Sequence, residues 1–115
     1  MRQEVFTLIG KYAMTPDAGQ VVYEKIYPQL QAGRQVELDF DRVEIFASPF
    51  FNYAVGQLLG SIKPEALDRL LIVQNLGAAG KTALARVLEN ARQYYSDEHV
   101  REAHDRVLSE QAATV

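Results

Sequence analysis

Eight residues of this chain come close to the spacing of a phosphate-binding loop. Asn75-Leu76-Gly77-Ala78-Ala79-Gly80-Lys81-Thr82 follows the apolar run at residues 70–74, LLIVQ, and leads into a helical pattern. In G-x-x-x-x-G-K-[ST] the loop amides surround a phosphate, the Lys neutralises its charge and the hydroxyl meets magnesium. Asn75 stands where the first glycine belongs, and Asn tolerates a left-handed backbone better than most residues. Asn75, Gly80, Lys81 and Thr82 are therefore the candidate contacts for an anion or nucleotide. Lys81 in a first helical turn also opposes the helix dipole, at a cost of about 0.3–1 kcal/mol. A magnesium-holding acid should end a neighbouring strand. The candidates, Asp39 and Asp41, precede the loop, so chain order would have to be permuted. The alternative is a structural turn made by Asn75 and Gly77, with Gly80 easing the start of the helix.

Other reactive groupings are sparse. Glu37, Asp39, Asp41 and Glu44 form an acidic cluster that reads as charges at a strand edge. His99 and His104 are five residues apart, which puts them on different faces of a helix, and no Ser–His–Asp order accompanies them. There is no cysteine, which excludes disulfides, thiolate chemistry and Cys-based zinc sites. These residues assemble no catalytic set, so the expectation is a protein that is not an enzyme and has no cofactor and no metal.

The elements that must carry these residues follow from periodicity and caps. Residues 4–9, EVFTLI, read as a first strand. Thr15 and Pro16 suit the N-cap and first position of a helix, on which Tyr23, Ile26, Tyr27 and Leu30 share a face. Pro28 should kink or close that helix, and Gly33 should end it. Val36-Glu37-Leu38-Asp39-Phe40 alternates, as a strand half-exposed or near an edge would, and residues 43–47 give a further short apolar passage. Ser48 and Pro49 predict an N-cap and first turn, followed by Phe51, Ala54, Val55 and Leu58 on one stripe, with Gly60 as C-cap. A short helical turn begins near Pro64. Residues 70–74 fit a central strand covered on both faces. From about Ala79 a long helix carries Leu84, Val87, Leu88, Ala91 and Tyr95 inward, with Lys81, Arg86, Glu89 and Arg92 opposite. Ser96-Asp97 predicts a new cap and a last helix with Val100, Ala103, Val107 and Leu108 on a thin face, fraying from Ala112.

The 115 residues suit one domain. Alternating strands and helices predict a single small α/β domain over residues 1–95, with a mixed or mostly parallel sheet of four to five strands and helices packed on it. Residues 96–115 form a helical extension. Net charge is −3 with no block of Lys or Arg, so the footprint of a nucleic-acid binder is missing. No stretch approaches the roughly 18 apolar residues of a membrane span, and the N-terminal apolar segment is too short for a signal peptide. A cytoplasmic protein is expected.

Taken in order, the strand Val36-Glu37-Leu38-Asp39-Phe40, then Val43, then Ser48-Pro49-Phe50-Phe51 opening a helix, and the later run NLGAAGKTALARVLENARQYY resemble the STAS-like domain family of unknown function. That family is related to sulfate transporter and bacterial anti-sigma factor antagonist domains. The resemblance covers roughly residues 16 to 95. It implies a STAS-like fold in which NLGAAGKT is a turn between strand and helix. It also implies a regulatory, non-enzymatic role in signalling through protein–protein contact, with a kinase-like ATPase or a transcription regulator as partner; a homodimer is compatible with it. In the antagonists, an Asp and two small hydroxyl residues open this helix, and a kinase phosphorylates the second hydroxyl. Here those positions fall on Ala47, Ser48 and Pro49, leaving Ser48 as the hydroxyl, with a helix cap as its simplest role. A phosphate there would add about −1.5 to −2 charge at a helix start. The expected partner-binding residues are Ser48, Phe50, Asn52 and Tyr53, with Phe50 and Tyr53 pointing outward around the core stripe.

Overall fold

A computed structural model describes the backbone of residues 1–114 and the side chains of residues 1–96. In chain order the elements are β1 (Arg2–Glu4), α1 (Val5–Ile9), β2 (Tyr12–Ala13), α2 (Pro16–Gln31), β3 (Val36–Asp39), β4 (Ile45–Phe46), α3 (Ser48–Ala54), a 3₁₀ segment (Gly56–Gly60), α4 (Pro64–Leu70), β5 (Leu71–Gln74) and α5 (Gly77–Thr114). The five strands among the described residues are divided between two sheets, one of order β1-β3-β5 and a ribbon of β2 and β4. Every pairing is parallel.

The strand at the centre is the alternating one. β3 pairs with β1 on one side and β5 on the other, which buries Val36, Leu38 and Phe40 and also covers Asp39, 3% exposed. β5, the continuous apolar run, lies at the sheet edge with Leu71, Ile72 and Val73 half-buried. The two expectations are thus exchanged. Alternation alone does not show which face a strand exposes once helices cover both sides.

The first strand is shorter than expected. It ends at Glu4, and Val5, Leu8 and Ile9 turn one helical face inward at i, i+3, i+4. A short apolar run satisfies both periods, and here the helix prevails.

α2 starts as its sequence dictates. The Thr15 hydroxyl accepts from Ala18 N–H at 3.1 Å, and Pro16 opens the first turn. Its buried stripe is Gly19, Val22, Ile26 and Leu30, while Tyr23 and Tyr27 stack at 5.1 Å on the flank. Pro28 neither breaks nor closes this helix, which runs on to Gln31. Pro28 and Glu24 are both exposed, so water reaches the carbonyl that lacks its usual donor. Gly33, at φ 80°, then ends the segment by donating to Leu30 C=O at 3.0 Å.

The core joins the sheet, the ribbon and α3 through four phenylalanines. Phe40 meets Phe46, Phe50 and Phe51 at centroid distances of 5.8, 6.4 and 6.0 Å. α2 crosses α3 so closely at Gly19 that a Cβ there would lie 2.4 Å from Phe50 C=O and 2.8 Å from Tyr53 Cβ. α5 closes the domain with Leu84, Val87 and Ala91. It continues without a break through Ser96, where a new helix start was expected. The expected apolar face at Val100, Ala103, Val107 and Leu108, and both histidines, lie outside the described side chains, and the fraying end outside them as well.

Candidate functional site

α3 is positioned by the ribbon that precedes it. Ala47 N–H donates to Ala13 C=O at 3.0 Å, which holds Ala47 extended at φ −141° and ψ 149°. The change from strand to helix therefore falls at Ala47, whose carbonyl accepts from Phe50 N–H at 3.1 Å. Ser48 is not the cap that the Ser-Pro pair predicts. It lies inside the first turn, exposed, with its hydroxyl free of any hydrogen bond among the described residues.

The remaining expected contact residues separate. Phe50 is fully buried, edge-on to Phe51 at 5.4 Å, and so belongs to the core and not to the surface. The close approach of α2 turns this side of α3 inward, which the sequence of α3 does not reveal. The i, i+4 pairs Ser48–Asn52 and Pro49–Tyr53 point outward instead, and Tyr53 is 46% exposed. The helix also ends sooner than expected. It stops at Ala54, and the chain continues as the 3₁₀ segment, with Gly60 in its last position and not as an α-helical C-cap.

Beyond Tyr53 the exposed stripe enters a groove of about 460 Å³ between α3, the 3₁₀ segment and α5. Asn52, Tyr53 and Gln57 form one wall, and Asn90, Tyr94 and Tyr95 the other, over Gly56 and Ala91. Among the described residues no Asp, Glu, Lys, Arg or His lines it. Tyr94 is 60% exposed and meets Tyr95 edge-on at 5.0 Å. Gln57 is fixed by donating to Gln20 Oε1 at 2.8 Å and to Tyr53 C=O. The amides of Asn52 and Asn90 have no hydrogen-bond partner among the described residues and are available to a ligand. Asn52 and Tyr53 face outward as the sequence suggests, whereas the α5 wall does not figure among the residues expected there. The pattern Asn90, Tyr94 at i, i+4 was the available signal.

A second exposed patch adjoins the start of α3. In the ribbon Tyr12 pairs with Ile45 and Ala13 with Phe46. Ala13 and Phe46 face the core, so Tyr12 and Ile45 face out, with Met14 following two residues after Tyr12. Tyr12 is 50% exposed, with Lys11 Nζ 5.5 Å from its ring centre.

The phosphate-loop candidates are arranged differently. Only Asn75 and Leu76 separate β5 from α5, and residues 77–80 already form the first helical turn. A loop of amides around an anion is therefore not built. Asn75, at φ 59°, donates its side-chain amide to Asp39 Oδ1 at 2.8 Å. Gly80 leaves room for buried Leu76, whose Cγ would lie 2.7 Å from a Cβ at that position. Lys81 is exposed, and Thr82 Oγ1 donates back to Ala78 C=O at 3.0 Å.

Asp39, the candidate magnesium ligand, is fully engaged. Asn75 and Asp41 N–H donate to Oδ1, and Arg2 pairs with Oδ2. The Asn75 hydrogen bond, then that of the Asp41 amide, with Arg2 assisting, hold its carboxyl below the usual range against the opposing effect of burial. Asp39 thus clamps the carboxyl end of β3 to that of β5 through Asn75 and reaches the start of β1 through Arg2, and this corrects the reading of it as a strand-edge charge. Glu37, Asp41 and Glu44 do not join it: among the described residues no three Asp, Glu or His side chains gather as metal ligands.

These observations define a small parallel α/β domain with a groove beside its third helix that is lined by uncharged residues among those described. The family model for the STAS-like domain of unknown function (DUF4325) matches residues 18–81, more than half of the chain, and the protein belongs to that family. No curated protein and no solved structure matches the chain. Among the described residues no helix is long and apolar enough to cross a membrane.

Proposed function

We propose that this chain is a non-enzymatic, cytoplasmic regulatory module that binds a protein partner along the exposed stripe of α3 and into the groove beside it. The observation that carries this reading is the pair Tyr53 and Tyr94, both exposed, flanking a groove whose free amides belong to Asn52 and Asn90. Tyrosines that offer area at low entropic cost, beside adaptable amides, suit recognition of another polypeptide. A kinase-like ATPase or a transcription regulator is the partner class that fits a STAS-like module. Ser48 supports a second reading. Its unbonded hydroxyl at the head of the same stripe is accessible to a kinase, and a phosphate there would alter the charge that the partner meets.

One experiment addresses both. The protein is recovered with its partner from its own cells, and affinity is compared with Asn52→Ala and Tyr53→Ala. Tyr53→Ala is expected to weaken capture by about tenfold or more, as loss of a central aromatic contact does, with the thermal midpoint unchanged. Capture unaffected by both substitutions would remove this surface. The intact mass of the recovered protein reads Ser48: phosphate confined to either the bound or the free fraction supports the switch, and its absence from both removes it.

A further inference from the structure

We propose that the open edge of β5 pairs, antiparallel and about a two-fold axis, with β5 of a second copy of this chain. The two three-stranded sheets then become one sheet of six strands. The inference does not depend on the α3 surface.

Leu71, Ile72 and Val73 are apolar on both faces of β5, a composition that belongs to strands covered on both faces in the interior of a sheet or at a protected edge. Yet β5 is the last strand of its sheet. The direction of its backbone groups follows from one bond. Phe40 N–H donates to Gln74 C=O at 2.9 Å, so that carbonyl points to β3. Across a trans peptide, Asn75 N–H points the other way. Alternation along the strand sets Val73 N–H, Val73 C=O and Leu71 C=O outward as well. Leu71 N–H is closed onto Leu67 C=O at the end of α4. The four outward groups have no partner among the described residues.

This set is self-complementary. Val73 is the residue whose donor and acceptor both face out. A hydrogen-bonded antiparallel pair exchanges both groups between the two residues that face each other, so Val73 pairs with Val73 of the second copy. Two residues along, Asn75 N–H of each copy stands opposite Leu71 C=O of the other. The donor that β5 lacks, Leu71 N–H, would have faced Asn75 C=O, and Asn75, at φ 59°, already turns away from strand geometry there. The symmetric pair thus uses the groups that the edge presents and needs none that it lacks, and its two-fold axis closes the assembly at a dimer.

The test is the mass of the intact chain in solution, measured from micromolar to millimolar protein, beside two proline variants. The wild type should rise with concentration from 12.9 kDa to twice that value. Val73→Pro removes an outward donor, which an edge strand tolerates, and should stay monomeric and folded. Ile72→Pro removes a donor aimed at β3 and should lose the fold. Amide exchange supplies a readout that needs no variant: Val73 N–H should become protected as concentration rises, while amides facing β3 do not change. A wild type that remains at 12.9 kDa throughout, a dimer that survives Val73→Pro, or a Val73 amide insensitive to concentration would each overturn the pairing.

Discussion

Asp39 shows how one carboxylate can be read two ways. In the sequence it is the polar half of an alternation, facing away from Val36, Leu38 and Phe40. In the fold that second face is covered too, and Asp39 binds Asn75 from beyond β5, Arg2 from β1 and the Asp41 amide. Its carboxyl titrates below its ordinary value of 3.8, chiefly because Asn75 donates to it. A lowered folded-state value means that the stabilisation is complete above 3.8 and disappears as pH falls through the lowered value. Asp39→Asn should therefore cost about 1–3 kcal/mol near neutrality, the range for a buried polar group left mispaired. It should also flatten the acid limb of stability. Thermal midpoints of both proteins between about pH 6 and pH 2 measure this, and identical acid slopes would argue against the clamp. Arg2, 54% exposed, contributes little of it.

Among the elements, those announced by caps and long stripes were legible. Thr15-Pro16 for α2, Pro64 for α4 and the inward stripe Leu84, Val87 and Ala91 of α5 stand where periodicity places them. What periodicity could not supply was the neighbour. Whether β3 or β5 is central depends on which helices cover them, and whether Ser48 or Ala47 caps α3 depends on the bond from Ala47 to β2. Phe50 is inward because α2 leans on that side of α3. The turn from β5 to α5 was legible as a turn, and Gly80 gives it a test. Replacing Gly80 with Ala should gain about 1 kcal/mol of helix propensity but force Leu76 aside, an overpacking that costs about 1–3 kcal/mol. The net expectation is a lower thermal midpoint. Calorimetry of the wild type with ATP and magnesium should give no heat; heat that disappears in Lys81→Ala would restore the phosphate-loop reading.

At the scale of the molecule, the two sheets share one core. Ala13 of the ribbon, Leu38 of the sheet and Val87 of α5 belong to the same buried cluster, bridged by the phenylalanines. The two-stranded ribbon is too small to be stable alone and depends on this shared core. Unfolding should then be a single transition, with tyrosine near-ultraviolet and backbone far-ultraviolet dichroism following one curve with denaturant. Separate midpoints would show that the ribbon melts independently. The family and its α/β order were legible in residues 36–53 because strand, turn and helix start follow one another in sequence. The groove was half legible, since its second wall arrives from α5, some forty residues further along.

The contact at Gly19 bears on how a partner would be received. With no side chain between them, the α2 backbone at Gly19 lies directly against the Phe50 carbonyl and the Tyr53 Cβ, which seats α3 closely on α2. The stripe from Ser48 to Tyr53 is therefore set before anything arrives. A partner bound there, as proposed, would spend little of its free energy on ordering the receiving surface, and selectivity would rest on how well the incoming chain matches that shape.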